Sequence, residues 1–213
     1  MNLHRVEALT LRTYPYGESH KIAVFLTREF GKVRGIAHGA KKMKSRFGGS
    51  LEPLTYLHLT FYRKEHQELA VVQNCEIVRA FPAYQLKWEV NLHFNYFAEL
   101  LMEFGKEQEE SENLFRLTLA VLEASQTVPV EIAARYFEFW ILKLEGVLPS
   151  LDQKLSSKLA AKMFAMLKRH PSELSGVSFT AEEMERLERI SSQLIECHLE
   201  KQLKTPKMLK ELL

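Results

Sequence analysis

Residues 31–51 read GKVRGIAHGAKKMKSRFGGSL. The run carries six basic side chains, Lys32, Arg34, Lys41, Lys42, Lys44 and Arg46, no acidic one, and five of the chain's nine glycines. A β-like segment bordered by glycine and running into a basic loop makes a surface that neutralises a polyanion, and nucleic acid is the expected partner.

The segments on either side alternate like strands. Leu3–Tyr14 is a long mixed segment, and Lys21–Arg28 places Ile22, Val24 and Leu26 on one face. Lys32–His38 is short, and Leu54–Arg63 points Leu57, Leu59 and Phe61 one way. Leu69–Val72 and Ile77–Phe81 follow a turn at Lys64–Gln67. Five short strands with glycine-containing connections in about 80 residues predict a small closed barrel. Phe47 lies inside the charge run, with Tyr16, Tyr56 and Tyr62 on neighbouring segments. Basic groups that track phosphates beside aromatic faces that stack bases are the physics of single-strand binding on an OB barrel.

From Ala83 the period becomes helical. Val90, Phe94, Phe97, Leu101 and Phe104 recur at i+3/i+4 spacing, as do Leu114, Leu117, Val121 and Leu122. Pro129–Gly146 carries Ile132, Tyr136, Phe139 and Leu142, with Pro129 in its first turn and Gly146 and Pro149 ending it. Leu151–Lys168 is a further helix. Thr180 and Glu183 form a capping box that opens a helix to about Leu203, and Pro206 separates a final Lys207–Leu213. The expected fold is therefore α+β: an N-terminal five-stranded OB-fold barrel at residues 1–82 and an all-helical domain at 83–213.

Charge follows the same division. Residues 1–82 hold thirteen Lys and Arg against seven Glu, a net of +6, whereas residues 83–213 hold sixteen against twenty, a net of −4. Two units with different work are expected, the first a polyanion surface and the second a protein-docking body.

Several chemistries are disfavoured. Lys44-Ser45 has no glycine before the lysine, so there is no phosphate loop, and no G-x-G-x-x-G occurs. Asp152 is the only aspartate, which speaks against two-metal nuclease and EF-hand sites. Glu196, Cys197, His198 and Glu200 diverge around a helix rather than converge. The two cysteines, Cys75 and Cys197, form no Cys-x-x-Cys and are expected to be reduced. No apolar run approaches membrane-spanning length, and no signal peptide is evident. Enzyme, cofactor and metal are all expected to be absent. An RNA-binding OB protein and a non-catalytic adaptor stay open beside the DNA reading.

Three blocks carry a resemblance: Tyr16-Gly17-Glu18-Ser19-His20-Lys21-Ile22, Thr27-Arg28-Glu29-Phe30-Gly31-Lys32-Val33-Arg34-Gly35, and Ser45-Arg46-Phe47-Gly48-Gly49-Ser50-Leu51-Glu52-Pro53. They resemble the N-terminal signature of the bacterial RecO recombination-mediator family. Leu142–Asp152 resembles that family's helix end and following loop, and His198–Leu203, Lys204 and Leu209 its C-terminal close. The resemblance implies an OB-fold followed by a helical domain. It also implies binding to single- and double-stranded DNA and annealing of complementary strands. The implied partners are single-strand-binding protein and RecR, with RecA recombinase loaded indirectly, in a cytoplasmic, nucleoid-associated setting. The DNA-binding set expected on this chain is Lys32, Arg34, Lys41, Lys42, Lys44, Arg46 and Phe47.

Many relatives in that family follow the Leu-Pro-x-Leu-Asp loop with a four-cysteine zinc module. Here Asp152 is followed by Gln153-Lys154-Leu155, the chain looks shortened, and no zinc is expected. Helix packing around Leu155, Leu159, Met163 and Leu167 is expected in its place. An acidic partner tail ending in an apolar residue needs a basic rim around an apolar pocket. Arg135 and Lys143, flanking Phe139 and Trp140, are one expected place for it; Lys201 and Lys204 are the other.

Overall fold

In the computed structural model, residues 2–63, 67–81, 87–150 and 155–212 are described. The expected boundary at 82/83, the turn at Lys64–His66 and the shortened loop at Asp152–Lys154 lie outside them.

Five strands, β1 (Leu3–Tyr16), β2 (His20–Thr27), β3 (Gly31–Ala37), β4 (Tyr56–Tyr62) and β5 (Ala70–Arg79), close into a barrel in the order β1-β2-β3-β5-β4. Pairings are antiparallel except β3 with β5, where Gly35 meets Ala70 and Ile36 meets Val71. This five-stranded closed barrel is the OB-fold expected from the alternation. β1 is long because it pairs twice. Its first half runs from Leu3 opposite Tyr62 to Leu9 opposite Tyr56, and its second half from Ala8 opposite Thr27 to Tyr16 opposite His20. A bulge between Thr10 and Arg12 bends the strand so that one chain can serve both edges.

The interior is filled by alternate residues: Val6 and Ala8, Ala23 and Phe25, Val33 and Ala37, Leu57, Leu59 and Phe61, and Ala70, Val72 and Cys75. Gly35 permits the tight β3–β5 approach, since a Cβ there would stand 2.8 Å from the Val72 side chain. Leu69–Val72 and Ile77–Phe81 do not form separate strands. β5 runs through Gln73–Glu76 because pairing with β4 continues there, with register shifts that keep Cys75 inward.

Chain contacts place the helix α1 (Trp88–Phe104) with the barrel, in a compact unit of Met1–Phe115. α1 packs against β1. The segment after it returns to the β2–β3 turn, where Lys32 N–H donates to the Lys106 carbonyl at 2.7 Å and Ser111 N–H to the Arg28 carbonyl at 3.0 Å. Gly31, at φ +60, lies under this segment, and a side chain there would come within 2.3 Å of the Lys106 and Glu109 carbonyls.

The second unit is Arg116–Leu213. Its helices are α2 (Glu112–Ala124, entering from the first unit), α3 (Val130–Leu144), α4 (Ser157–Leu167), α5 (Ala181–Leu199) and α6 (Thr205–Leu212). α3 is buried along nearly its whole length and packs against α4 and α5. Leu155, Leu159, Met163 and Leu167 are buried around α4. The Thr180–Glu183 capping box opens α5, with bonds of 3.2 and 2.9 Å. α5 ends at Leu199 rather than Leu203, because Glu200 adopts φ +54 and turns Leu203 back into a buried position. Pro206 lies in the first turn of α6, where its missing N–H breaks no intrahelical bond, and Pro129 is the N-cap of α3.

Candidate nucleic-acid interface

The connection leaving β3 is a succession of turns. Ala40 N–H donates to the Ala37 carbonyl at 3.3 Å, Lys42 N–H to Gly39 at 3.1 Å, and Ser45 N–H to Lys42 at 3.0 Å. Three further bonds fasten it to the β1–β2 turn: Lys41 N–H to the Ser19 carbonyl at 3.0 Å, Lys41 Nζ to the Gly17 carbonyl at 3.1 Å, and Gly39 N–H to His20 Nδ1 at 3.0 Å. Lys41, Lys42, Lys44 and Arg46 are exposed on this braced loop.

The β1–β2 turn brings a second group of side chains to the loop. Cross-strand partners share a face. Tyr14 lies opposite Ile22, which lies opposite Ile36; Arg12 lies opposite Val24, which lies opposite Arg34. Tyr16 lies opposite His20, whose ring meets that of His38 edge-on at 4.8 Å. Tyr14 is 40% and Tyr16 45% exposed, and the Arg12 guanidinium stands 5.4 Å from the Tyr14 ring centroid. The result is a basic and aromatic wall on strands 1–3, continuous with the braced loop. The outer face of strands 2–3 and the loops beside it are the surface on which OB-folds take oligonucleotides. The far half of that face is covered here: Leu26 is buried where Gly105 ends α1.

Arg34 is exposed on this wall. Lys32 is half-buried, and its Nζ donates to the Met102 carbonyl at 2.7 Å, neutralising the carbonyl end of α1. Phe47 is only 2% exposed and fills the barrel interior with Leu51, while Arg46 covers its ring at 5.0 Å. It offers no face to a base, so the expectation that it stacks is corrected. The Tyr56 hydroxyl is bonded to Glu7 and its ring meets Phe115 edge-on, which removes it from the stacking candidates too. The register missed by sequence reasoning is that of Arg12, Tyr14, His20 and His38. The alternation of LRTYPY was a usable signal only once the bulge at Thr10–Arg12 set its phase.

Glu7 also bonds Arg28, whose guanidinium reaches on to Glu112. The Tyr56 hydroxyl, then Arg28, holds the Glu7 carboxyl below its ordinary range despite partial burial, and the two carboxylates raise Arg28. This cluster ties β1, the end of β2 and the start of α2.

In the helical unit Arg135 is buried, not on a rim. It donates to Glu138 Oε1 at 2.7 Å, one turn along α3; Glu138 is fully buried and accepts from Ser191 Oγ at 2.5 Å. Glu188 lies 3.7 Å from the same guanidinium. Lys143 is exposed, with its Nζ 4.2 Å from the Trp140 ring centroid. It lines a groove of about 350 Å³ together with Lys168 and the apolar side chains of Leu148, Phe164 and Leu167. Lys201 and Lys204 are exposed after α5 and are not among the residues that line this groove.

Cys75 is buried in the barrel, where desolvation pushes its thiol up to about 12, and Cys197 is exposed on α5. Two cysteines so placed do not fit a four-cysteine zinc module. Among the described residues no three His, Cys, Asp or Glu side chains group to hold a metal ion. No described helix is long and apolar enough to cross a membrane.

The chain matches the family described as "Recombination protein O N terminal" over residues 1–81 and "Recombination protein O C terminal" over residues 85–160. It is 32% identical to "DNA repair protein RecO" of Koribacter versatilis, over 99% of both chains. That alignment runs over 244 positions against 213 residues here, so the relative carries residues with no counterpart in this chain. Similarity to the proteins of the same name from Syntrophus aciditrophicus (36%) and Listeria monocytogenes (30%) covers 70% and 71% of this chain but only 58% and 59% of theirs. With both its barrel and its helical part matched, and a relative aligned nearly end to end, the chain belongs to the RecO family of DNA repair proteins.

Proposed function

We propose that this protein is a non-enzymatic DNA-binding mediator that captures strands on the loop–wall surface and promotes their annealing. Membership in the RecO family carries a role in DNA repair and recombination. The observation that supports the finer reading is a loop fastened through Gly39 and Lys41 to the β1–β2 turn, which carries exposed Lys41, Lys42, Lys44 and Arg46 beside exposed Tyr14 and Tyr16. Cations carried on a fastened backbone neutralise phosphates with less ordering cost than those on a slack loop, and aromatic faces stack bases of any identity. Binding of this kind screens the repulsion between two strands, so that base pairing supplies the energy of annealing.

The helical unit is the proposed partner-docking body. The groove between Lys143 and Lys168 suits an acidic peptide ending in an apolar residue, as expected of a single-strand-binding protein's tail. RecR and indirect RecA loading complete the proposed role, in the cytoplasm and at the nucleoid.

The test is annealing of complementary oligonucleotides by the full chain without nucleotide. Pairing faster than spontaneous, suppressed by high salt, supports the reading; a requirement for ATP hydrolysis, or no acceleration at low salt, overturns it.

A further inference from the structure

Met43 is the most exposed large apolar side chain among the described residues, and it stands between two exposed lysines, Lys42 and Lys44. The tip that carries it is not slack. Turns close from Lys42 to Gly39 and from Ser45 to Lys42, and Lys41 and Gly39 are bonded to Ser19 and His20 below. The barrel has no packing use for Met43, since Phe47 and Leu51 fill the interior on the same connection.

We propose that Met43 is a wedge that enters a single DNA strand between neighbouring bases while Lys42 and Lys44 seat on the flanking phosphates. The proposal rests on the DNA-binding reading of the loop. An unbranched, polarizable thioether conforms to irregular contacts, and methionine is among the apolar side chains that unstack base steps. Such a contact is indifferent to base identity, as a protein handling arbitrary strands requires. The nearby aromatic of the same loop is buried, so Met43 is the apolar group that the loop presents at its cationic tip. Phosphate capture by the lysines and base separation by the methionine are therefore distinct tasks within three residues.

The experiment uses the full chain and a single-stranded oligonucleotide containing 2-aminopurine, whose fluorescence rises when its base unstacks. The native protein is expected to raise the signal. Met43→Ala is expected to cut that gain at least about threefold while leaving the salt slope of binding unchanged, because no charge is lost. Met43→Leu retains the gain, and Met43→Gln, of similar length but polar, loses it. Equal gains from Met43→Ala and the native protein would overturn the wedge. Undiminished binding by Lys42→Glu/Lys44→Glu would instead overturn the loop reading beneath it.

Discussion

Lys41 is joined twice to the turn between the first two strands: its backbone N–H donates to the Ser19 carbonyl at 3.0 Å, and its ammonium reaches the Gly17 carbonyl at 3.1 Å. The contact makes two distant pieces of sequence into one surface, with the basic loop on one side and Tyr14 and Tyr16 on the other. Lys41→Ala removes the side-chain strut as well as a charge. It is expected to weaken single-strand binding more than Lys44→Ala does, as measured by fluorescence anisotropy at one salt concentration. Equal losses from the two would mean that the strut does nothing.

The Glu7 cluster predicts a pH response of the barrel. The folded-state pKa of Glu7 is depressed, first by the Tyr56 hydroxyl and then by Arg28. Its stabilisation is therefore fully present above the ordinary carboxylate pKa of 4.5 and is lost as pH falls through the lower folded value. Glu7→Gln is expected to cost about 1 kcal/mol at pH 7 and to lose less on acidification, because the group no longer titrates. Urea unfolding at pH 7, 5 and 3.5 checks this, and parallel pH profiles for the two proteins would contradict it.

Arg135 and Glu138 predict asymmetric mutational costs. Glu138→Ala takes the nearer of two carboxylates from a buried guanidinium, leaving it only Glu188 at 3.7 Å, and is expected to destabilise the helical unit by about 1–3 kcal/mol. Arg135→Met with Glu138→Leu removes both charges and is expected to recover most of that loss. Denaturant melts followed by the helical signal at 222 nm give both values. No loss of stability in Glu138→Ala would contradict the pairing.

At the groove, Lys143→Glu with Lys168→Glu is expected to weaken binding of an acidic peptide ending in phenylalanine at least about tenfold, with little loss of stability because the charges are exposed. Isothermal titration of the full chain measures it. Unchanged affinity would move the tail site elsewhere.

The two thiols should behave differently. Cys75, buried and held protonated with a pKa of about 12, is expected to resist maleimide in the native protein, while Cys197 reacts. Mass spectrometry should show one adduct in buffer and two in denaturant. The same purified protein is expected to contain no stoichiometric zinc and to keep its Tm in chelator. One zinc per chain would contradict the reading of the cysteines.

Alternation and the glycine-bordered turns made the barrel legible, the 3.6-residue period did the same for α1 to α3, and the Thr180–Glu183 capping box marked the start of α5, while α4 begins at Ser157 rather than Leu151 because Ser156 caps it. The loop's charges were legible as composition, but composition does not say which side chains turn inward. Lys32 and Phe47 sit in the same run as Lys42 and Lys44, yet one neutralises a helix end and the other fills the barrel, because tertiary neighbours at Met102 and Leu51 claim them. Tyr14 and Arg12 were hidden by a one-residue bulge, which changes the face of everything after it. Arg135 carried a readable sign: Arg135 and Glu138 lie i,i+3 on a helix otherwise apolar almost all round, which marks a buried pair better than a docking rim.

The central claim is that the braced loop neutralises DNA phosphates, and the salt dependence of single-strand affinity tests it most directly. Arg34, Lys41, Lys42, Lys44 and Arg46 together predict a log–log slope of about −3 to −4 for the native chain. Lys42→Glu/Lys44→Glu is expected to bring the slope to about −2 or shallower and to lower affinity at least about tenfold near 0.1 M salt, with an unchanged melting temperature. The same slope and the same affinity in the folded double variant would contradict the account.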